Sequence, residues 1–158
     1  MWLNIQDALV TYLQGQQAPG GRLEGIQTVR SGADDTSHDL DYPLVTVSAA
    51  DTFTVEGTVS QVELRFEFEV AVFALNMDGQ DNAERDLQAL VWSGRGAAST
   101  GVLPALLALM KRDLVAYGAT YRVRATGQPR LGFAAQMSQW VAGLVIPVTI
   151  HRTEPTPL

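Results

Sequence analysis

Cysteine is absent from the 158 residues. That excludes a disulfide framework, a thiolate metal site and a thiol nucleophile. Histidine occurs only twice, as His38 and His151, which leaves little material for imidazole chemistry. Lysine occurs once, at Lys111, so the other bases are all arginine. Arginine favours planar, two-pronged pairing with carboxylates. Long apolar runs are missing too. The best, residues 141–150, is far shorter than a membrane-spanning helix and contains Pro147. The N-terminus has no early basic cluster, so no signal peptide is expected.

What is present describes a globular chain. Hydrophobic residues make up 46%, enough for a core in a chain of single-domain length. Acids number 17 against 11 bases, a net charge of −6. An acidic surface disfavours broad binding to nucleic-acid phosphates.

The pattern along the chain predicts α+β architecture. Residues 2–14 read as an amphipathic helix, with Trp2, Ile5, Leu9 and Tyr12 on one side and Ala8 and Leu13 beside them. Pro19-Gly20-Gly21 must end it. A short strand is expected over residues 22–30. Residues 31–41 form a loop in which Asp34, Asp35, Asp39 and Asp41 surround His38. Its charge predicts a mobile acidic segment outside the core.

Beyond Tyr42-Pro43 the periodicity becomes two. Val45, Val47 and Ala49 alternate, and a turn is expected at Glu56-Gly57. Then Val62, Leu64, Phe66, Phe68, Val70 and Val72 share one face of a strand, opposite Glu63, Arg65, Glu67 and Glu69. Such a strand would extend about 50 Å, against a radius of gyration of about 15 Å for a compact domain of this size. It must bend or project, and a projecting apolar ribbon needs a partner.

Residues 81–92 predict a second helix, with Asp81 as its cap and Ala83, Leu87, Leu90 and Val91 buried. Residues 102–115 predict a third, buried through Leu103, Leu106, Leu107, Met110 and Leu114. A strand over residues 120–126 would set Tyr121, Val123 and Ala125 opposite Arg122 and Arg124. Residues 127–132 read as a turn, and a last strand spans residues 137–151. Residues 153–158, with Pro155 and Pro157, are expected to be a disordered tail after a single domain of residues 1–152. The sum is a mixed, mainly antiparallel sheet with a long hairpin and helices packed on one face.

Catalytic patterns are weak. His38 and its aspartates read better as a solvated loop than as a metal site, because a flexible segment does not preorganise ligands. A triad would need Ser37, Ser99 or Ser138 beside a histidine by chance. Gly94-Arg95-Gly96 follows a helix and lacks the P-loop lysine, so it reads as a connector. No enzymatic activity, cofactor or metal is expected. Charged strand faces are the stronger candidates: Arg65, Arg122, Arg124 and Arg130, with Glu63, Glu67 and Glu69 as acidic counterparts, either in solvent or at an interface.

This layout resembles the tail terminator, or tail completion, proteins of long-tailed bacteriophages. The resemblance is carried by the N-terminal amphipathic helix and by the acidic loop ending in Asp41-Tyr42-Pro43-Leu44-Val45-Thr46-Val47. It is also carried by the long strand from Glu63 to Phe73 leading to a helix at Asp81, and by the terminal Val145-Ile146-Pro147-Val148-Thr149-Ile150. It implies a structural virion protein, assembled in the bacterial host cytoplasm. Six copies would form a ring capping the tail tube and ending its polymerisation. Partners would be the tail tube protein and a head–tail connector or neck protein, with DNA passing through the lumen without sequence-specific binding. Three other readings stay open: a neck connector ring, a small α+β enzyme or ligand-binding domain, and a tube subunit.

Overall fold

A computed structural model of the chain describes residues 2–32, 42–76, 80–116, 119–126, 130–136 and 139–157. The expected mobile acidic loop lies outside the described residues, as do His38, Ser37 and Ser138.

The fold is α+β. Helix α1 (Trp2–Gly15) leads to strands β1 (Thr28–Ser31), β2 (Leu44–Gly57) and β3 (Gln61–Asn76). Helices α2 (Gln80–Val91) and α3 (Val102–Met110) follow, separated by a short 3-10 turn over Gly96–Ala98. Strands β4 (Leu114–Ala116), β5 (Ala119–Thr126), β6 (Arg130–Gln136) and β7 (Gln139–Pro155) complete the chain. One sheet runs in the order β1-β2-β3-β7-β5-β4, and β6 pairs with β7 beyond the end of β5. Among the described strands, only β1 and β2 pair in parallel.

Two long ladders make the frame. β3 pairs with β7 without interruption from Gln61 opposite Pro155 to Asn76 opposite Trp140. Unbroken pairing keeps the alternation in phase for the whole length. Hence Leu64, Phe66, Phe68, Val70 and Val72 are all buried with Ile146, Val148 and Ile150 on the same face. All three helices cover that face. Ile5, Leu9 and Leu13 of α1, Leu87 and Val91 of α2, and Val102, Ala105, Leu106 and Leu109 of α3 join the same cluster. Tyr12 reaches across and donates its hydroxyl to the Ala105 carbonyl at 2.7 Å.

Several boundaries differ from the sequence reading. The first strand is shorter: residues 22–27 form turns in which Gln17 Nε2 donates to the Ile26 carbonyl at 2.9 Å, so the backbone there is not in a ladder. Glu56-Gly57 stays in β2, and the hairpin turns at residues 58–60 instead. Thr58 closes it by donating its N–H to the Gln61 carbonyl at 2.7 Å. The third helix stops at Met110, and residues 114–116 form strand β4 against β5. Its sequence VLPALLALM is apolar all round, so periodicity could not select a face. Leu109 is buried, whereas Met110 is exposed.

Residues 130–136, expected partly as turn, form β6. The tail is not free: β7 runs through Pro155, and Thr156 donates its N–H to the Ser60 carbonyl at 3.1 Å and its hydroxyl to the Thr58 carbonyl at 2.8 Å. Proline is tolerated there because a strand end needs no continuous donor ladder. Pro147 lies inside β7, at the break where β5 pairing ends at Val148 and β6 pairing begins at Val145.

The junction of α2 and α3 is tight. Gly101 has φ 113°, and a Cβ there would sit 2.6 Å from the Val91 carbonyl oxygen and 2.7 Å from that of Leu90. Gly101→Ala therefore combines left-handed backbone strain with a backbone collision. Thermal or denaturant unfolding should show a loss of about 2 kcal/mol, whereas Gly25→Ala, with open space around it, should change far less.

Candidate subunit interface

The helix-free face of the sheet collects most of the charged residues singled out above. On β3, Glu63, Arg65, Glu67 and Glu69 alternate with the buried hydrophobics and are half-buried by their cross-strand neighbours. Pairing sets Thr54, Arg65, His151 and Arg122 side by side in one row across β2, β3, β7 and β5. Opposite Glu63 stand Glu56 on β2 and Thr153 on β7. Sequence alone could not place Arg122 beside His151, because that contact depends on the order of the strands.

Glu63 is the hub. The Nδ1–H of His151 donates to Glu63 Oε1 at 2.8 Å, the carboxylate being able only to accept. Arg65 Nη2 lies 3.6 Å from the same oxygen. His151 is 4% exposed. A buried imidazole held by a half-buried carboxylate couples β3 to β7 at a point where the face is otherwise polar. The sequence pattern does not reveal this partner of His151. The signal was its opposite phase to Ile150, which decides a face but not a neighbour.

Arg122 sits differently. It is exposed and its Nε lies 3.6 Å from Asp113 Oδ1, also exposed. Between Val123 and Ala125 the register of β5 against β7 shifts. Val123 pairs with Ile150 and Ala125 with Thr149, so Arg124 is the extra residue of a bulge. The strict alternation expected over residues 120–126 is thereby interrupted between Val123 and Ala125. The side chains of Arg124 and Arg130 lie outside the described residues, although their backbones belong to β5 and β6.

Farther along, this face turns apolar. Leu44, Ala71 and Phe73 form a second buried cluster with Tyr42, Leu75 and Val145 packed on it. At the opposite end the hairpin tip is open: Val55 is 53% and Val59 99% exposed.

The connector between α2 and α3 carries the Gly94-Arg95-Gly96 segment. It is closed by a Ser93–Thr100 bridge, with Gly94 and Gly96 in the left-handed region. An open cleft of about 400 Å³ lies beside it, lined by Arg22, Glu24, Leu90, Ser93 and Thr100 among others. Arg22 is committed to the backbone there, donating to the Ser99 and Ala97 carbonyls. Among the described residues, no group of histidines and carboxylates is arranged to hold a metal ion, and no helix is long and apolar enough to cross a membrane.

No protein-family model and no curated protein matches the chain.

Two energetic expectations follow from this geometry. A double-mutant cycle of Glu63→Gln and His151→Ala should give a coupling of about 1 kcal/mol, measured by urea unfolding, because one partner of the pair is fully buried. Arg122→Ala should shift stability by less than about 0.5 kcal/mol, since an ion pair between exposed groups is worth little.

Proposed function

We propose that this chain is a structural ring subunit that caps the tail tube of a long-tailed bacteriophage, ends its polymerisation and presents a surface to the head or its connector. The observation that carries the reading is the division of the sheet. All three helices cover one face, and the other bears a row of half-buried charges, Glu63, Arg65, Glu67 and Glu69, with Arg122 exposed beside them. Charged side chains belong neither in an apolar core nor against apolar partners, whereas at an interface they set register and partner choice. The long strands and the exposed hairpin tip offer sheet for contact between copies, and the resemblance of element order supplies the tail context. A ring closes by repeated contact between two different patches on each copy. The tube subunit would meet one side of the ring and the neck protein the other. DNA would pass through the lumen without sequence readout, in keeping with a net charge of −6.

Light scattering coupled to size exclusion tests the ring: a closed oligomer is expected at high concentration or on tubes. Arg122→Glu combined with Arg124→Glu should leave the monomer folded by circular dichroism. It should abolish the ring and give tails of uncontrolled length. Normal-length, head-joined tails from the double variant would remove these arginines from the assignment. A tube that ends at its normal length without the protein would overturn the reading itself.

A further inference from the structure

A ring made of identical copies needs two surfaces that fit each other but not themselves. The sheet has two edges that differ from each other. On one side, β1 covers β2 only at residues 44–47. Beyond a register shift between Ala49 and Phe53, residues 53–57 pair with β3 alone among the described residues. Thr54, Val55, Glu56 and Gly57 are all exposed. On the other side, β4 covers β5 only at residues 119–121. Residues 122–126 and all of β6 pair with β7 alone among the described residues. An open strand edge presents unpaired N–H and C=O groups to any passing strand. Neither β2 nor β5 nor β6 contains lysine or proline, so the protection of these edges rests on their register shifts and on a few charged residues.

Charge then decides which edges can meet. The only ionisable residues of β2 are Asp51 and Glu56, both acidic. Arg122 and Arg124 on β5 and Arg130 on β6 are the only charged residues of those strands. Pairing β2 with β2, or β5–β6 with β5–β6, sets like charges against each other, which disfavours both symmetric dimers. Pairing β2 with β5–β6 matches opposite charges.

We infer that the free edge of β2 in one copy pairs with the β5–β6 edge of the next copy, so that the sheet continues from subunit to subunit around the ring. This rests on the ring reading above and adds the element that joins the copies. Head-to-tail pairing of this kind generates a closed ring when the rotation per copy closes, and a fibre when it does not.

The absence of cysteine makes the test clean. Val55→Cys on β2 and Ala134→Cys on β6 are introduced singly and together, and each protein is treated with a short bismaleimide after its mass is measured by light scattering. The double variant should give a ladder of covalent multimers that stops at the ring order, and neither single variant should. Glu56→Arg should retain the parent melting temperature and weaken association by about tenfold or more, with the parent's association falling as salt rises. A ring by light scattering without a ladder from the double variant would overturn strand pairing and leave the ring reading standing. A covalent dimer from Val55→Cys alone would show like-edge pairing and overturn the inference. A monomer without a ladder, in solution and on tubes, would overturn both.

Discussion

The uninterrupted ladder between β3 and β7 is the constraint on which the rest of the structure depends. Because no bulge breaks it, Leu64, Phe66, Phe68, Val70 and Val72 of β3 and Ile146, Val148 and Ile150 of β7 are committed to one face. A single slip would turn Phe66 and Phe68 outward and Glu67 and Glu69 into the core. That penalty fixes the register, and the register in turn fixes where the helices can go. They cover the apolar face because it alone offers continuous burial for α1, α2 and α3. The charged face is then left to cross-strand pairs.

The irregularities sit on the strands flanking this ladder. β2 shifts register between Ala49 and Phe53, and β5 shifts between Val123 and Ala125. Bulges increase local twist and re-aim side chains. Their positions, one on each side of the central pair, let a stiff ladder coexist with edges of different shape. The shift in β2 also lies between the part of that strand covered by β1 and the part that pairs with β3 alone among the described residues. The sheet is therefore regular in the middle and irregular on the strands to either side.

His151 and Glu63 tie the two requirements together. An imidazole buried at 4% exposure beside a carboxylate stabilises the pairing of β3 and β7 on the polar face. The same carboxylate holds Arg65 at 3.6 Å and so orients a charge in the row that ends at Arg122. Stability and surface patterning are thus coupled through one glutamate.

Sequence by itself determined the local, periodic features. The alternation from Val62 to Val72 specified β3 and its two faces, because a period of two admits no other regular arrangement. The 3.6 period specified α1 and the buried Leu87 and Val91 of α2. Sequence could not choose a face for the uniformly apolar α3, nor detect β4 and β6, which are short and lack clear alternation. It could not find the partner of His151 or the row from Thr54 to Arg122. Those depend on strand order and register, which emerge only when residues far apart in the chain bury a common face. The bulge at Arg124 is of the same kind, since an extra residue in one strand has meaning only against the strand beside it. The edges of β2, β5 and β6 that are open among the described residues were likewise decided by tertiary structure, because an edge is defined by which strands fail to reach it.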